Sequence, residues 1–331
     1  SVHNEKTGLE YNASSLSKIF SQKKNIFNIN FLLMLNDILK FNKFSPMILN
    51  TSYSDKITVK EFIDINNYKS DFVENYLVPL GSSIWSCPKE KFMDFSILFV
   101  IEFLYNHCML TVNERPIWQT VKGGSKEYVK KMLLSMNNLE IIKKSVKKVV
   151  RKKNEVLVYT DVNRMNTFDE VILACHANQA LKLVDNLYPK EEEILSPFKY
   201  EINTTTLHTD NSVLPSNKAI WASWNYRIPV NDERKVMITY YMNKLQNIDS
   251  NRTYCVSLNL NSKINRKKII KEFKYEHPIF FPGISEYQAQ HRSLIRNDRL
   301  SYCGAYWGYG FHEDGVNSAL RVCEGYNLGL I

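Results

Sequence analysis

The chain has 331 residues, 44% of them apolar and 23% charged, enough for two globular domains with cores of their own. That balance excludes a disordered or collagen-like chain. The net charge of +9 is spread along the sequence. Its densest run, residues 143–153, alternates with β-branched residues and reads as a solvated strand face, so no nucleic-acid partner is expected.

Residues 1–11 read as a β-hairpin with its turn at Lys6-Thr-Gly8. Residues 14–22 and 28–41 carry helical periodicity, with Ser14 and Asn28 as N-caps, and a third helix starts near Thr58. Residues 71–78 and 88–107 continue a helical block. The most apolar stretch, 92–110, is interrupted by Asp94, Glu102 and His107, and so reads as a buried helix, not a membrane span. Trp85, after the Gly81-Ser-Ser83 step, reads as core. Two adjacent glycines, Gly123 and Gly124, open a helix over 126–135 and permit close approach of an anion or a flat ring.

Residues 139–150 and 155–160 alternate with period 2, followed by a strand at 168–174 and a helix at 178–187. The span 199–278 reads as antiparallel sheet, with strands near 200–209, 219–226, 235–242 and 253–258 and aromatic weight from Trp221, Trp224, Tyr226, Tyr240 and Tyr241. Alternation puts His208 and Asp210 on one strand face, a candidate substrate-facing pair. A short helix at 288–295 precedes the tail.

In the tail, a strand at 300–303 runs into a loop with Gly304, Gly308 and Gly310, then a helix near Glu313-Asp314 with Val316, Ala319, Leu320 and Cys323 as its apolar stripe. Free N–H groups and the positive end of the helix dipole would favour a group that gains negative charge there. His312 is the candidate acid/base, because an unperturbed imidazole titrates near neutrality. Six cysteines without C-x-x-C spacing read as reduced core residues of a cytoplasmic protein. The seven histidines lack ligand spacing, so no metal site is expected, and no G-x-S-x-G element occurs.

The run Tyr306-Trp-Gly-Tyr-Gly-Phe-His-Glu-Asp-Gly315, with residues 76–85, 118–125 and 221–226, resembles the FAD-dependent amine-oxidase family. It is most similar to the bacterial amine-oxidase-like FAD/NAD-binding proteins, over nearly the whole chain. The resemblance implies an α/β fold: a Rossmann-like FAD-binding domain from 118–177 and 297–331, and an α+β substrate domain from 1–117 and 178–296. It implies FAD as cofactor, hydride transfer from an unidentified small molecule, and cofactor contacts at Gly123, Gly124, Val146, Gly304, Trp307, Gly310, Glu313, Asp314, Gly315 and Val316. Tyr309 would join His312 at the reacting face, and His208, Trp224 and Tyr226 would line the substrate pocket. The chain departs from the family at Cys175-His176, where a small residue and proline are usual, and at Gly304-Ala305, where Gly-Glu is frequent. No G-x-G-x-x-G occurs, and the resemblance implies a fragment without the amino-terminal phosphate-binding unit. Because similar domains are fused to cyclopropane-fatty-acid synthases, the second expectation is a non-redox FAD-binding module paired with a lipid-modifying methyltransferase.

Overall fold

The opening hairpin forms as expected: β1 (Val2–Asn4) and β2 (Leu9–Tyr11) pair antiparallel, Val2 opposite Tyr11. They belong to a computed structural model that describes residues 1–111, 116–161, 165–231 and 235–329. The chain forms two compact units, residues 1–137 with 201–277, and residues 138–200 with 278–331. These units are cut at 137, 200 and 277; the division at 117, 177 and 296 into FAD-binding and substrate parts is a different one, drawn on motifs.

In sequence order the remaining strands are β3 (Val146–Arg151), β4 (Val156–Thr160), β5 (Met165–Phe168), β6 (Val171–Leu173), β7 (Lys199–His208) and β8 (Trp224–Ile228). They are followed by β9 (Ile238–Tyr241), β10 (Cys255–Leu258), β11 (Ile269–Ile279) and β12 (Leu300–Tyr302). The first unit holds a seven-stranded sheet in the order β11-β7-β10-β9-β8-β1-β2, with β1 parallel to β8. β8 starts later than its periodicity suggests, because Asn217 accepts from the Ala219 amide and turns Lys218–Ile220 into a 3₁₀ turn. β11, which the sequence did not mark as a strand, lies at the sheet edge. There both faces stay partly exposed and the alternation is blurred by Lys271, Glu272 and Lys274.

Helices pack beside this sheet in the first unit. Asn28 caps Ile29–Phe44 through the Phe31 amide, and Thr58 with Glu61 forms a capping box on Val59–Ile65. Ser15, not Ser14, caps the first helix, which is cut to Leu16–Ile19. Phe41, Phe62, Tyr68 and Phe72 form one aromatic cluster, and Trp85 packs among Phe92, Phe95, Phe99 and Phe103, with 4% of its surface exposed. Trp85 is core, as read. Pro79 has no N–H to give the Asn75 carbonyl, and Val73–Leu77 widens into a π turn in which the Val78 amide bonds the Val73 carbonyl. The Asn75 carbonyl is taken instead by the Tyr11 hydroxyl at 2.7 Å.

The second unit holds an antiparallel meander, β3-β4-β5, and a parallel pair, β6 with β12, in register Val171–Leu300 to Leu173–Tyr302. The alternation expected from residue 139 becomes a strand only at Val146; residues 139–145 are exposed. A buried ion pair, Arg151 with Glu191, joins β3 to the helix Pro189–Leu195, and Tyr302 of β12 donates its hydroxyl to the same carboxylate at 3.0 Å. All six cysteines are free, but Cys108 is exposed and does not belong to the core. Among the described residues no helix is long and apolar enough to cross a membrane.

Candidate functional site

The second unit brings two strand ends together. β6 leads through Ala174-Cys175-His176 into the helix Ala177–Leu183, and β12 leads through Cys303-Gly304 into the aromatic loop and the helix His312–Glu324. In open α/β sheets ligands bind outside the carboxyl ends of parallel strands, and this pair has that arrangement. The Cys303 amide donates to the Leu173 carbonyl at 3.0 Å, fixing the two ends side by side. Ser318 then clips the strand end to the last helix: its hydroxyl accepts from the Gly304 amide (2.9 Å) and donates to the Gly315 carbonyl (2.7 Å). Gln288 holds the loop from the other direction, donating to the carbonyls of Tyr306 (2.9 Å) and Gly308 (2.7 Å).

The loop glycines serve two different ends. A side chain at Gly304 would stand 2.6 Å from the Tyr306 ring, and one at Gly308 would collide with the Asp314 carboxylate, so the protein's own groups occupy those approaches. Gly315 differs, because its nearest neighbour is the Ala305 amide nitrogen at 4.0 Å. Asp314 folds back to accept the Phe311 amide at 2.9 Å and caps the helix. Glu313 and His312 are exposed in the first turn. The stripe expected along this helix is rotated: Val316 is 49% exposed, while Ser318 and Val322 are buried against the unit. The small hydroxyl wins the inner position because the Gly304 amide needs an acceptor there.

Tyr306 and Trp307 are buried, at 2% and 3% exposure, and pack edge-on against Phe198. The Tyr306 hydroxyl and the Trp307 indole nitrogen find no well-formed partner beyond each other among the described residues. Burial, with Tyr200, Cys175 and Cys303 nearby, pushes the Tyr306 phenol far above its usual range. His291 stacks on Trp307 with ring centres 4.3 Å apart, and its Nε2 donates to the Tyr302 carbonyl at 2.7 Å. Arg321 donates to its Nδ1 at 3.3 Å, so both ring nitrogens are engaged. Burial and the nearby Arg321 and Arg292 guanidiniums lower this imidazole to about 4, against a weaker raising effect of the Tyr302 carbonyl. Sequence reading missed Gln288, His291 and Ser318, since nothing local to them announces a partner 11 to 20 residues away.

The other sequence-marked residues fall elsewhere. Val146 opens β3, 39% exposed, beside a register shift between Val146 and Lys148. Gly123 (φ +85°) and Gly124 (φ +92°) belong to the first unit, both in the left-handed conformation that glycine adopts at least cost. Trp224 and Tyr226 share one face of the large sheet, paired with Tyr240 and Ile238. Register puts His208 on the opposite face, in a row with Cys255 and Tyr241, next to the row of Thr206, Ser257, Thr239 and Asn225. His208 is fully buried; its Nδ1 accepts the Asp210 amide at 3.1 Å and its Nε2 donates to Ser257 Oγ at 2.8 Å. A nitrogen that already carries the proton cannot activate that serine, so the pair is not a nucleophile–base couple. Burial lowers His208 to about 4. Asp210 lies past the end of the strand, its carboxylate held by the Ser212 and Asn265 amides and Lys268. Tyr226, in contrast, borders a cleft of about 440 Å³ whose walls include Asn4, Asp71, Glu74 and Asn75.

No protein-family model and no curated protein sequence matches the chain. Solved structures do. Putrescine oxidase bound to putrescine aligns with a TM-score of 0.60 at 12% identity, covering 98% of this chain and 80% of that one. A conjugated-linoleic-acid-producing fatty acid isomerase from P. acnes aligns with a TM-score of 0.62 at 11% identity, over 97% and 79%. Cyclohexylamine oxidase from Brevibacterium oxydans aligns with a TM-score of 0.56 at 9% identity, over 89% and 75%. The mixed α/β fold of this chain is thus shared with oxidases and with an isomerase.

Proposed function

We propose that the chain is the scaffold of an FAD-dependent oxidoreductase of amine-oxidase type acting on a small molecule. The observation that carries this reading is the parallel β6–β12 pair, each strand running into a helix, with Gly304 at one carboxyl end. The fold shared with putrescine oxidase and cyclohexylamine oxidase supports it.

The groups that would face a flavin in this reading are Gly315, open above its Cα, His312 and Glu313 in the exposed first turn, and the buried side chains of Tyr306 and Trp307. Those residues fit a flat, hydrogen-bonding ring better than a phosphate, because Asp314 already places a carboxylate at the helix end. The remaining cofactor contacts assigned by the resemblance are Gly123, Gly124, Val146, Gly310 and Val316, with Gly304 and Asp314, whose approaches the Tyr306 ring and the Phe311 amide already take up, left to contribute through their backbone. When bound, the flavin would accept the electrons of the substrate. The chain's own part is to orient that ring through the Ser318 clip, to exclude water with the buried aromatics, and to hold a proton at His312, with Tyr309 beside it in sequence. Trp224 and Tyr226 are the proposed substrate wall, next to the cleft that Tyr226 borders; His208 supports that sheet from its other face. The FAD-binding domain of this reading is 118–177 with 297–331.

A second reading, a non-redox FAD-binding module that accompanies a lipid-modifying methyltransferase, is favoured by the likeness to a fatty acid isomerase. Anaerobic spectroscopy of the FAD-loaded protein separates them. The oxidoreductase reading expects the flavin absorbance to bleach with a primary amine or another reducing substrate and to recover with an oxidant. Flavin that dithionite reduces but no substrate does would favour the module, and absence of flavin binding would end both.

A further inference from the structure

The seven-stranded sheet of the first unit ends in two unlike edges. β2 is three residues long, and the Gln22 side chain covers it, accepting from the Glu10 amide at 3.0 Å and donating to the Gly8 carbonyl at 2.9 Å. β11 is eleven residues long and has β7 as its one neighbour in the sheet. Its residues 269–277 belong to the first unit. Along them Ile270, Lys271, Glu272, Lys274 and Tyr275 are exposed, Ile270 at 53% and Tyr275 at 50%. Lys271, Phe273 and Tyr275 share one face. The Lys271 ammonium lies 4.9 Å from the Phe273 ring centre, and the Phe273 and Tyr275 rings stack with centres 5.7 Å apart. Alternation puts Glu272 and Lys274 on the other face, and neither has an ion-pair partner among the described residues.

We propose that β11 is a homodimer interface, at which two copies of the chain pair edge to edge, antiparallel, about a twofold axis at Phe273. Such pairing gives the outward N–H and C=O groups of an edge strand their ladder partners. It sets Phe273 opposite Phe273, Glu272 opposite Lys274, and Lys271 opposite Tyr275, the last two pairs each made twice by symmetry. Opposite charges directly across two strands attract, like charges repel, and an ammonium group is drawn to an aromatic face. Moving the axis by one residue to either side would set Glu272 against its own copy or Lys274 against its own copy, so charge selects the register. Charges on an edge strand keep unrelated strands away. Here their order, Lys-Glu-Phe-Lys-Tyr, also makes a second copy of this chain the strand that fits. The amino-terminal unit that the resemblance implies would join 118–177 and 297–331, whereas residues 269–277 lie in the substrate part, so that unit is not the neighbour expected at this edge. The inference is independent of the flavin reading, since no residue of 269–277 is assigned to the cofactor or the substrate.

The test is sedimentation velocity of the whole chain across micromolar concentrations. A reversible dimer is expected, and it should weaken severalfold in 0.5 M salt because its ion pairs are exposed. Glu272→Lys or Lys274→Glu alone should weaken it at least tenfold, since each sets like charges opposite one another twice. Both positions are exposed, so circular dichroism and the melting temperature should stay as they are. An equimolar mixture of the two variants should associate again, because opposite charges then face each other at both pairs. That recovery is one that a misfolded variant could not show. A chain that stays monomeric throughout the range, a dimer indifferent to either reversal, or a mixture that does not associate would overturn the proposal.

Discussion

Replacing Glu191 with alanine should destabilise the protein by about 3–5 kcal/mol, the cost of stranding a buried cation. The arrangement leaves Arg151 no substitute. Its guanidinium, 1% exposed, faces a carboxylate that is fully buried and also accepts the Tyr302 hydroxyl and the Tyr188 amide. One guanidinium nitrogen donates to the Asn186 carbonyl at 2.9 Å, and the group lies 4.5 Å above the Tyr188 ring, but neither contact carries a countercharge. The loss should be read by urea denaturation followed by fluorescence. Because desolvating two ions consumes most of their attraction, the double variant Arg151→Met with Glu191→Leu should recover much of what Glu191→Ala loses. A loss below about 1 kcal/mol for the single variant would mean that water reaches the pair.

The second large effect is acid sensitivity above the carboxylate range. His208 and His291 are both lowered to about 4, each chiefly by burial, one in each unit. An unfolded histidine titrates near 6.5, so between pH 6.5 and 4 the unfolded chain binds more protons than the folded one. Stability is therefore fully present above pH 6.5, falls as pH drops through that window, and levels off for these groups below 4. Each should contribute roughly 2 kcal/mol to the fall after allowance for local relaxation. His208 keeps its proton on Nε2, and a second proton on Nδ1 would displace the Asp210 amide; at His291 it would face the Arg321 guanidinium. Denaturation midpoints between pH 7 and 4.5 should show the decline, and His291→Gln should flatten it. An unchanged slope in that variant would assign the effect to other groups.

How much of this was legible in the sequence depends on how local the cause is. Caps and glycine-dependent turns were readable because Thr58 with Glu61, Asn28 with Phe31, and Gly123-Gly124 act within a few residues. The helix Lys126–Ser135 was found to the residue. The inner face of the last helix was not: hydropathy chose Val316, but the Gly304 amide, fourteen residues away, required Ser318. His208 was placed correctly on a strand, yet its side of the sheet follows from pairing with β10 and β9, which no single strand reveals. The Arg151–Glu191 contact joins residues 40 apart and the Gln288 contacts residues 18 and 20 apart, and charge or amide type alone does not name the partner.

The most direct measurement is the FAD affinity of Gly315→Leu beside that of the unaltered chain, by flavin fluorescence titration. Gly315 has an ordinary helical conformation and nothing closer than 4.0 Å to an added Cβ. Its replacement should therefore leave the melting temperature unchanged or slightly raised, since glycine is a poor helix former. If the amino end of the last helix receives the flavin ring, the added side chain should weaken FAD at least tenfold. Equal affinity in the two proteins would place the cofactor elsewhere and contradict the account.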